Sequence, residues 1–150
     1  MNENQPKFNF PGASVLTVDR DEFYLKILAS MLRGFGFGTV YRAAEIDDAT
    51  RVINARDIDF LVMDPSPYEQ RGFDLVGRIR GEKGRALCHS TVFLSTAHAT
   101  ENILLKMKSA GADYVICKPF SSTGLLNRMI WVTQKSGAQG PATELNPAAQ

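Results

Sequence analysis

Several residues that suit phosphoryl chemistry stand at the ends of apolar runs in this chain. Asp19 and Arg20 follow the run Ser14–Val18, and Asp64 ends the run 59–63. Ser95 and Thr96 follow the run 91–94, and Lys118 follows Tyr114–Cys117. A carboxylate can attack phosphorus and form an acyl phosphate. Charge on the oxygens of a transferring phosphoryl group calls for cations and hydrogen-bond donors beside it. Lys118 is a compact cation and Thr96 a donor. Asp19 and Asp64, with backbone carbonyls, suit Mg2+, a hard ion that keeps several of its waters. No G-x-x-x-x-G-K-[ST] occurs, and no G-x-G-x-x-G follows the first run. A nucleotide or dinucleotide cradle is therefore unsupported.

These residues converge only if the runs are strands of one sheet. Five apolar runs of β type alternate with helical patterns. A helix is expected from Asp21, with Phe23, Leu25, Ile27, Leu28, Met31 and Leu32 largely on a helical period. Asp21 is its expected cap, and Gly34 and Gly36 its stop. A more exposed strand is expected at 39–42. Asp47 or Asp48 is expected to cap a short second helix that turns Ala49, Val52 and Ile53 inward. Further helices are expected over 73–80, 101–110 and 123–132. Nearly all-apolar strands separated by helices imply a parallel sheet covered on both faces. The fold class is therefore α/β, a (βα)5 doubly wound parallel sheet in a three-layer sandwich. Right-handed crossovers require the helices to lie on both faces. Ligand sites in such sheets lie beyond the carboxyl ends of the strands, where the residues above stand.

Composition bounds the rest. The chain has 150 residues, 44% apolar and 22% charged, with 17 basic and 16 acidic side chains. That is one globular domain, with no electrostatic case for nucleic acid or an anionic membrane as partner. Residues 1–12 and 136–150 are polar or rich in Gly, Ala, Pro and Gln, and both are expected to be flexible. The folded unit is expected over 13–135, which leaves no room for an output domain. Residues 1–12 show no basic-then-apolar leader pattern, and no run is long enough to span a bilayer. Cys88 and Cys117 make no disulfide framework, and His89 beside Cys88 has no further ligands near it. A reduced, cytoplasmic protein is the expectation.

In this order and spacing, the residues resemble the receiver domain of bacterial response regulators. The resemblance is carried by Val18-Asp19, by Val62-Met63-Asp64 with Gly72 eight residues on, by Ser95-Thr96-Ala97, and by Gly111-Ala112-Asp113 leading into Lys118-Pro119-Phe120. It implies the flavodoxin-like strand order 2-1-3-4-5. It implies that Asp64 accepts a phosphoryl group from a histidine kinase or phosphotransfer protein. Lys118 would pair with Asp64 and then with the phosphoryl group. Thr96 would swing to hydrogen-bond it, and Lys118–Pro119 would be a cis peptide. Mg2+ would be held by Asp19, Asp64 and the backbone carbonyl of Ser66. The downstream target would be a protein docking on the helix 4, strand 5 and helix 5 face. Such a domain is a phosphoacceptor switch and not an enzyme in the ordinary sense.

The chain departs from the family at named positions. The second acid after strand 1 is replaced by Arg20, which cannot ligate a cation, so Mg2+ binding is expected to be weakened. Arg20 is also expected to pair with Asp64 and alter the site. The next acid, Asp21, is committed to capping. Val115 stands where the family usually has an inward-rotating aromatic, and Tyr114, one residue earlier, faces the opposite side of the sheet. Pro65-Ser66-Pro67-Tyr68 stiffens the loop after Asp64. His98, two residues past Thr96, could modulate water access to the phosphoryl group, although an exposed loop role is the simpler reading. These departures motivate the alternative of a phosphorylation-independent pseudo-receiver that acts as a protein-interaction module.

Overall fold

The computed structural model describes residues 10–82 and 84–134. The expected flexible tail, and residues 1–9 of the expected flexible N-terminal segment, lie outside the described residues. A 3-10 turn at Phe10–Gly12 leads into β1 (Ser14–Val18), α1 (Glu22–Gly34), β2 (Thr39–Ala43), α2 (Ile46–Ala55) and β3 (Phe60–Met63). Then follow α3 (Glu69–Gly81), a 3-10 turn at Ala86–His89, β4 (Thr91–Thr96), α4 (Glu101–Ala110), β5 (Tyr114–Cys117) and α5 (Ser122–Gln134). The strands form one parallel sheet in the order β2-β1-β3-β4-β5. Both the (βα)5 alternation and the strand order agree with the expectation.

Alternation along the strands builds two cores. Leu16, Val18, Leu61, Met63, Leu94 and Val115 point to one face, where Ala49 and Ile53 of α2, Leu75 and Ile79 of α3 and Met107 of α4 cover them. Val15, Val62, Phe93, Tyr114 and Ile116 point to the other, under Leu28 and Leu32 of α1 and Leu125 and Met129 of α5. Each Val, Leu, Ile, Phe or Met side chain among them that is removed from water contributes about 1.5–3 kcal/mol. In α1, Leu25, Leu28 and Leu32 are buried, whereas Phe23 and Ile27 face solvent. Among the described residues, no helix is long and apolar enough to cross a membrane.

Register carries the fold to the site. Val18 pairs with Met63, and Thr96 with Cys117. The residues that follow Val18 and Met63, Asp19 and Asp64, therefore leave the sheet side by side. The Asp64 amide donates to the Val18 carbonyl at 3.0 Å, and the Lys118 amide to the Thr96 carbonyl at 2.8 Å.

Several expectations need correction. Residues 10–12 are part of the fold: Phe10 is only 6% exposed and stacks on Phe37 at 4.5 Å, edge-on to Phe60. A boundary at 13 misses this because the anchor is one aromatic whose partners lie far along the chain. Neither Asp47 nor Asp48 caps α2. Glu45 stands at the cap position without a side-chain bond, and the two aspartates occupy the first turn, where their charge suits the helix dipole. The third helix starts at Glu69, not at Phe73, because its first turn is polar and shows no apolar period. Asp59 lies outside β3 and instead accepts from the Ser14 amide at 2.8 Å.

Gly72 sets the approach of α3 to the loop after Asp64. A Cβ there would lie 2.5 Å from Cβ of Pro65, a ring that cannot rotate away. Gly72→Ala is expected to cost about 1–3 kcal/mol, measured by urea unfolding, and to displace that loop. Unchanged stability would show that the loop yields freely.

Candidate functional site

Asp19 leaves β1 with both carboxylate oxygens engaged. Oδ1 accepts the Asp21 amide at 2.9 Å and Oδ2 accepts Lys118 Nζ at 2.6 Å. Asp21 caps α1 as expected, accepting from the amides of Phe23 and Tyr24. Asp64 leaves β3 in a matching way. Its Oδ1 accepts the Ser66 amide at 2.9 Å and its Oδ2 accepts Lys118 Nζ at 2.7 Å. The backbone beyond each strand thus orients one oxygen of each carboxylate, and Lys118 bridges the other two.

The cluster is largely shielded from water. The side chains of Asp19, Asp64 and Lys118 are 5%, 10% and 16% exposed. Burial alone would lower the pKa of the Lys118 ammonium. The hydrogen bonds to Asp19 and Asp64, with the charges of both, reverse this and hold it above the ordinary lysine range. A raised folded-state pKa means that the stabilising charge is fully present below the unfolded lysine value. It is lost only as pH rises through the higher folded one. Lys118 bridging is therefore expected to be undiminished across neutral pH and lost in strong alkali, followed by pH-dependent unfolding. Loss of this stabilisation already near neutral pH would contradict the geometry.

Asp19, Arg20, Asp21, Asp64, Ser66 and Lys118 line one open cleft of about 440 Å3. Arg20 is the main departure from expectation. It is exposed and makes no hydrogen bond or ion pair with Asp64, whose partner is Lys118. The lysine already occupies the inner side of both carboxylates, so the guanidinium stays at the rim. Thr96 ends β4, is 4% exposed, and accepts the His98 amide at 3.0 Å. It is linked to Lys118 through the backbone and does not itself line this cleft. His98 is exposed. Tyr114 and Val115 belong to opposite cores, as the alternation requires. Tyr114 lies against Phe93 and Trp131, on the α5 side. The Lys118–Pro119 peptide is cis, as is Ser66–Pro67.

The donor set has the chemistry of a Mg2+ site. Two carboxylates and one ammonium leave the buried cluster with a net negative charge, which favours a cation at the rim. The carboxylate oxygens of Asp19 and Asp64 are hard ones, and Mg2+ is commonly held through one or two carboxylates and water. The residues fit such an ion. They do so with a reduced set, since among the described residues no group of three His, Cys, Asp or Glu side chains is placed to hold a metal.

One neighbour was not singled out in the sequence. Tyr24, in the first turn of α1, places its ring 4.3 Å from Lys118 Nζ. Its signal is its position, three residues after the capping Asp21, which puts it at the carboxyl edge. A second polar device lies beside β4. Arg80 donates to the carbonyls of Cys88, Ser90 and Gly111 and to Asp113 Oδ2, which also accepts the Val92 amide. It ties α3, β4 and the start of β5 together and, among the described residues, makes no hydrogen bond or ion pair with the cleft residues.

Comparison with known proteins agrees with the geometry. The family profile of the response regulator receiver domain matches residues 15–130. The chain is 29% identical over 115 residues to the chemotaxis protein CheY-3 of Vibrio cholerae, covering 77% of this chain and 87% of that protein. It is 27% identical over 118 residues to the transcriptional regulatory protein YvrH of Bacillus subtilis, covering 79% of this chain and 48% of that protein. A crystal structure of a CheY-like response regulator receiver domain protein from Methanospirillum hungatei shares the fold, with a TM-score of 0.72 at 20% identity over 85% of this chain and 98% of that one.

Proposed function

The chain belongs to the response regulator receiver domain family, and from this premise we propose that Asp64 is its phosphoacceptor, loaded by a histidine kinase or phosphotransfer protein. The observation that carries the proposal is the bridging of Asp19 and Asp64 by one largely shielded ammonium at the carboxyl edge of the sheet.

In this reading an Asp64 carboxylate oxygen attacks phosphorus. The new P–O bond forms as the donor's bond to phosphorus breaks, and the donor leaves with its electron pair. Lys118 gives up its hydrogen bond to Asp64 Oδ2 and follows the charge to a phosphoryl oxygen, still anchored by Asp19. The Ser66 amide holds the other Asp64 oxygen in place. Thr96 turns its hydroxyl from the His98 amide toward the phosphoryl group. A bound Mg2+, held by Asp19, Asp64 and the Ser66 carbonyl, would supply further neutralisation of the transferring charge. The rearranged edge then biases the α4–β5–α5 face between two arrangements, and a partner protein reads that face. Leu105 of α4, 59% exposed, offers it an apolar contact. Both cysteines are free, which suits a cytoplasmic setting.

Incubation with acetyl phosphate and Mg2+, followed by intact mass measurement, tests the reading. A gain of one phosphoryl group is expected. No gain, with a competent kinase also failing, overturns it.

Arg20 favours a second reading in which the domain binds its partner without phosphorylation. Its guanidinium stands at the cleft rim where a second acid would complete the metal site. Arg20→Asp exchanges a positive for a negative charge beside a divalent cation, and is expected to raise Mg2+ affinity roughly 10- to 100-fold. Titration calorimetry, with phosphoryl uptake followed against Mg2+, measures this. Equal affinity in both proteins would remove Arg20 as a tuning element. Partner binding that survives Asp64→Asn unchanged would support the pseudo-receiver.

A further inference from the structure

Tyr24 is not among the residues that resemblance assigns to the site, yet it touches two residues of the Lys118-Pro119-Phe120 segment. Its ring face lies 4.3 Å from Lys118 Nζ, and its ring packs edge-on to Phe120 at 6.1 Å between centroids. Its backbone amide is tied down by the cap, donating to Asp21 Oδ1 at 3.1 Å. Its hydroxyl is buried and has no hydrogen-bond partner among the described residues. The phenol is held protonated by burial first, then by the charges of Asp19 and Asp64. The hydroxyl explains nothing about this residue, and the ring explains its contacts.

We propose that Tyr24 is a positioning residue for Lys118, its ring face holding the ammonium where the carboxylates of Asp19 and Asp64 meet it. An ammonium has three N–H donors. Two are given to Asp19 and Asp64, and the third meets no oxygen among the described residues. The negative face of the ring takes that side of the cation instead. The contact matters because lysine is a point charge on a flexible four-carbon stem. When Asp64 is modified, Lys118 loses one hydrogen bond and has to find a phosphoryl oxygen. Attraction to a ring face is weakly directional, so it keeps the cation inside the cleft through that exchange. The inference rests on the role of Lys118 given above.

Three forms at position 24 test it: Tyr24→Phe, Tyr24→Leu and a ring-trifluorinated phenylalanine, which keeps the shape and depletes the charge of the face. The Lys118 ammonium resonance of 15N-labelled, unphosphorylated protein reports the contact, and phosphoryl uptake from acetyl phosphate reports its consequence. Leucine is expected to abolish the ring-current shift of that resonance and to slow uptake about 2- to 30-fold. The fluorinated ring should slow uptake in the same direction while the fold is unchanged, and phenylalanine should restore both readouts. Should leucine fail to fold, the fluorinated form decides alone. A Lys118 resonance that leucine leaves in place, or uptake within twofold of wild type in the fluorinated form, overturns the proposal. A wild type that takes up no phosphoryl group would instead defeat the role of Asp64. The resonance would then decide the contact.

Discussion

Lys118→Met is expected to be the most damaging single substitution at the site. It should lower stability by roughly 2–4 kcal/mol, near the scale for removing one partner of a buried ion pair and reduced for the residual exposure of the lysine. The reason is geometric. Asp19 Oδ2 and Asp64 Oδ2 lie 2.6 and 2.7 Å from the same nitrogen. Without it, two carboxylates face each other in a shielded site and neither has a cation. Methionine fills the space of the stem but carries no charge. Chemical unfolding measures the loss, and a double-mutant cycle identifies its cause. Adding Asp64→Asn to Lys118→Met should recover part of the stability, because one of the opposed charges is gone. Additive losses in that cycle would mean that the lysine acts through packing of its stem. Phosphoryl uptake should fall with the same substitution, since the cation that follows the phosphoryl charge is missing.

Asp64→Asn is expected to have the opposite profile. Stability should change by less than about 1 kcal/mol, because Lys118 keeps Asp19 and the asparagine carbonyl can still accept the Ser66 amide. Phosphoryl uptake should fall by at least about 10³-fold, the scale on which loss of a covalent nucleophile is felt. The contrast matters more than either number. A residue that is silent in unfolding and indispensable in uptake acts in chemistry and not in folding. Uptake retained by the asparagine protein would place the phosphoryl group elsewhere.

The fold was legible because its signals are local. Four of the five strands are short, nearly unbroken apolar runs, and all five helices announce themselves by apolar period. The site was legible because register converts sequence into position: the residue after Val18 and the residue after Met63 leave neighbouring strands at one level. What escaped the sequence depends on contacts between distant segments. Phe10 is ordered by Phe37 and Phe60, and nothing in residues 1–12 alone marks it. The first turn of α3 is polar and forms because the helix behind it packs. The rim position of Arg20 follows from the prior claim of Lys118 on both carboxylates, an outcome of competition that spacing cannot reveal. Tyr24 reads as one more aromatic on α1 until α1 is set against the loop after β5.

Chemical trapping shows directly whether Asp64 carries the phosphoryl group. Wild-type protein is loaded with acetyl phosphate, reduced with borohydride to convert the acyl phosphate to an alcohol, digested, and sequenced by mass spectrometry. Homoserine is expected at position 64, with unmodified aspartate at positions 19 and 21. Homoserine at another aspartate, or intact aspartate at 64 in protein shown to have been loaded, would contradict it.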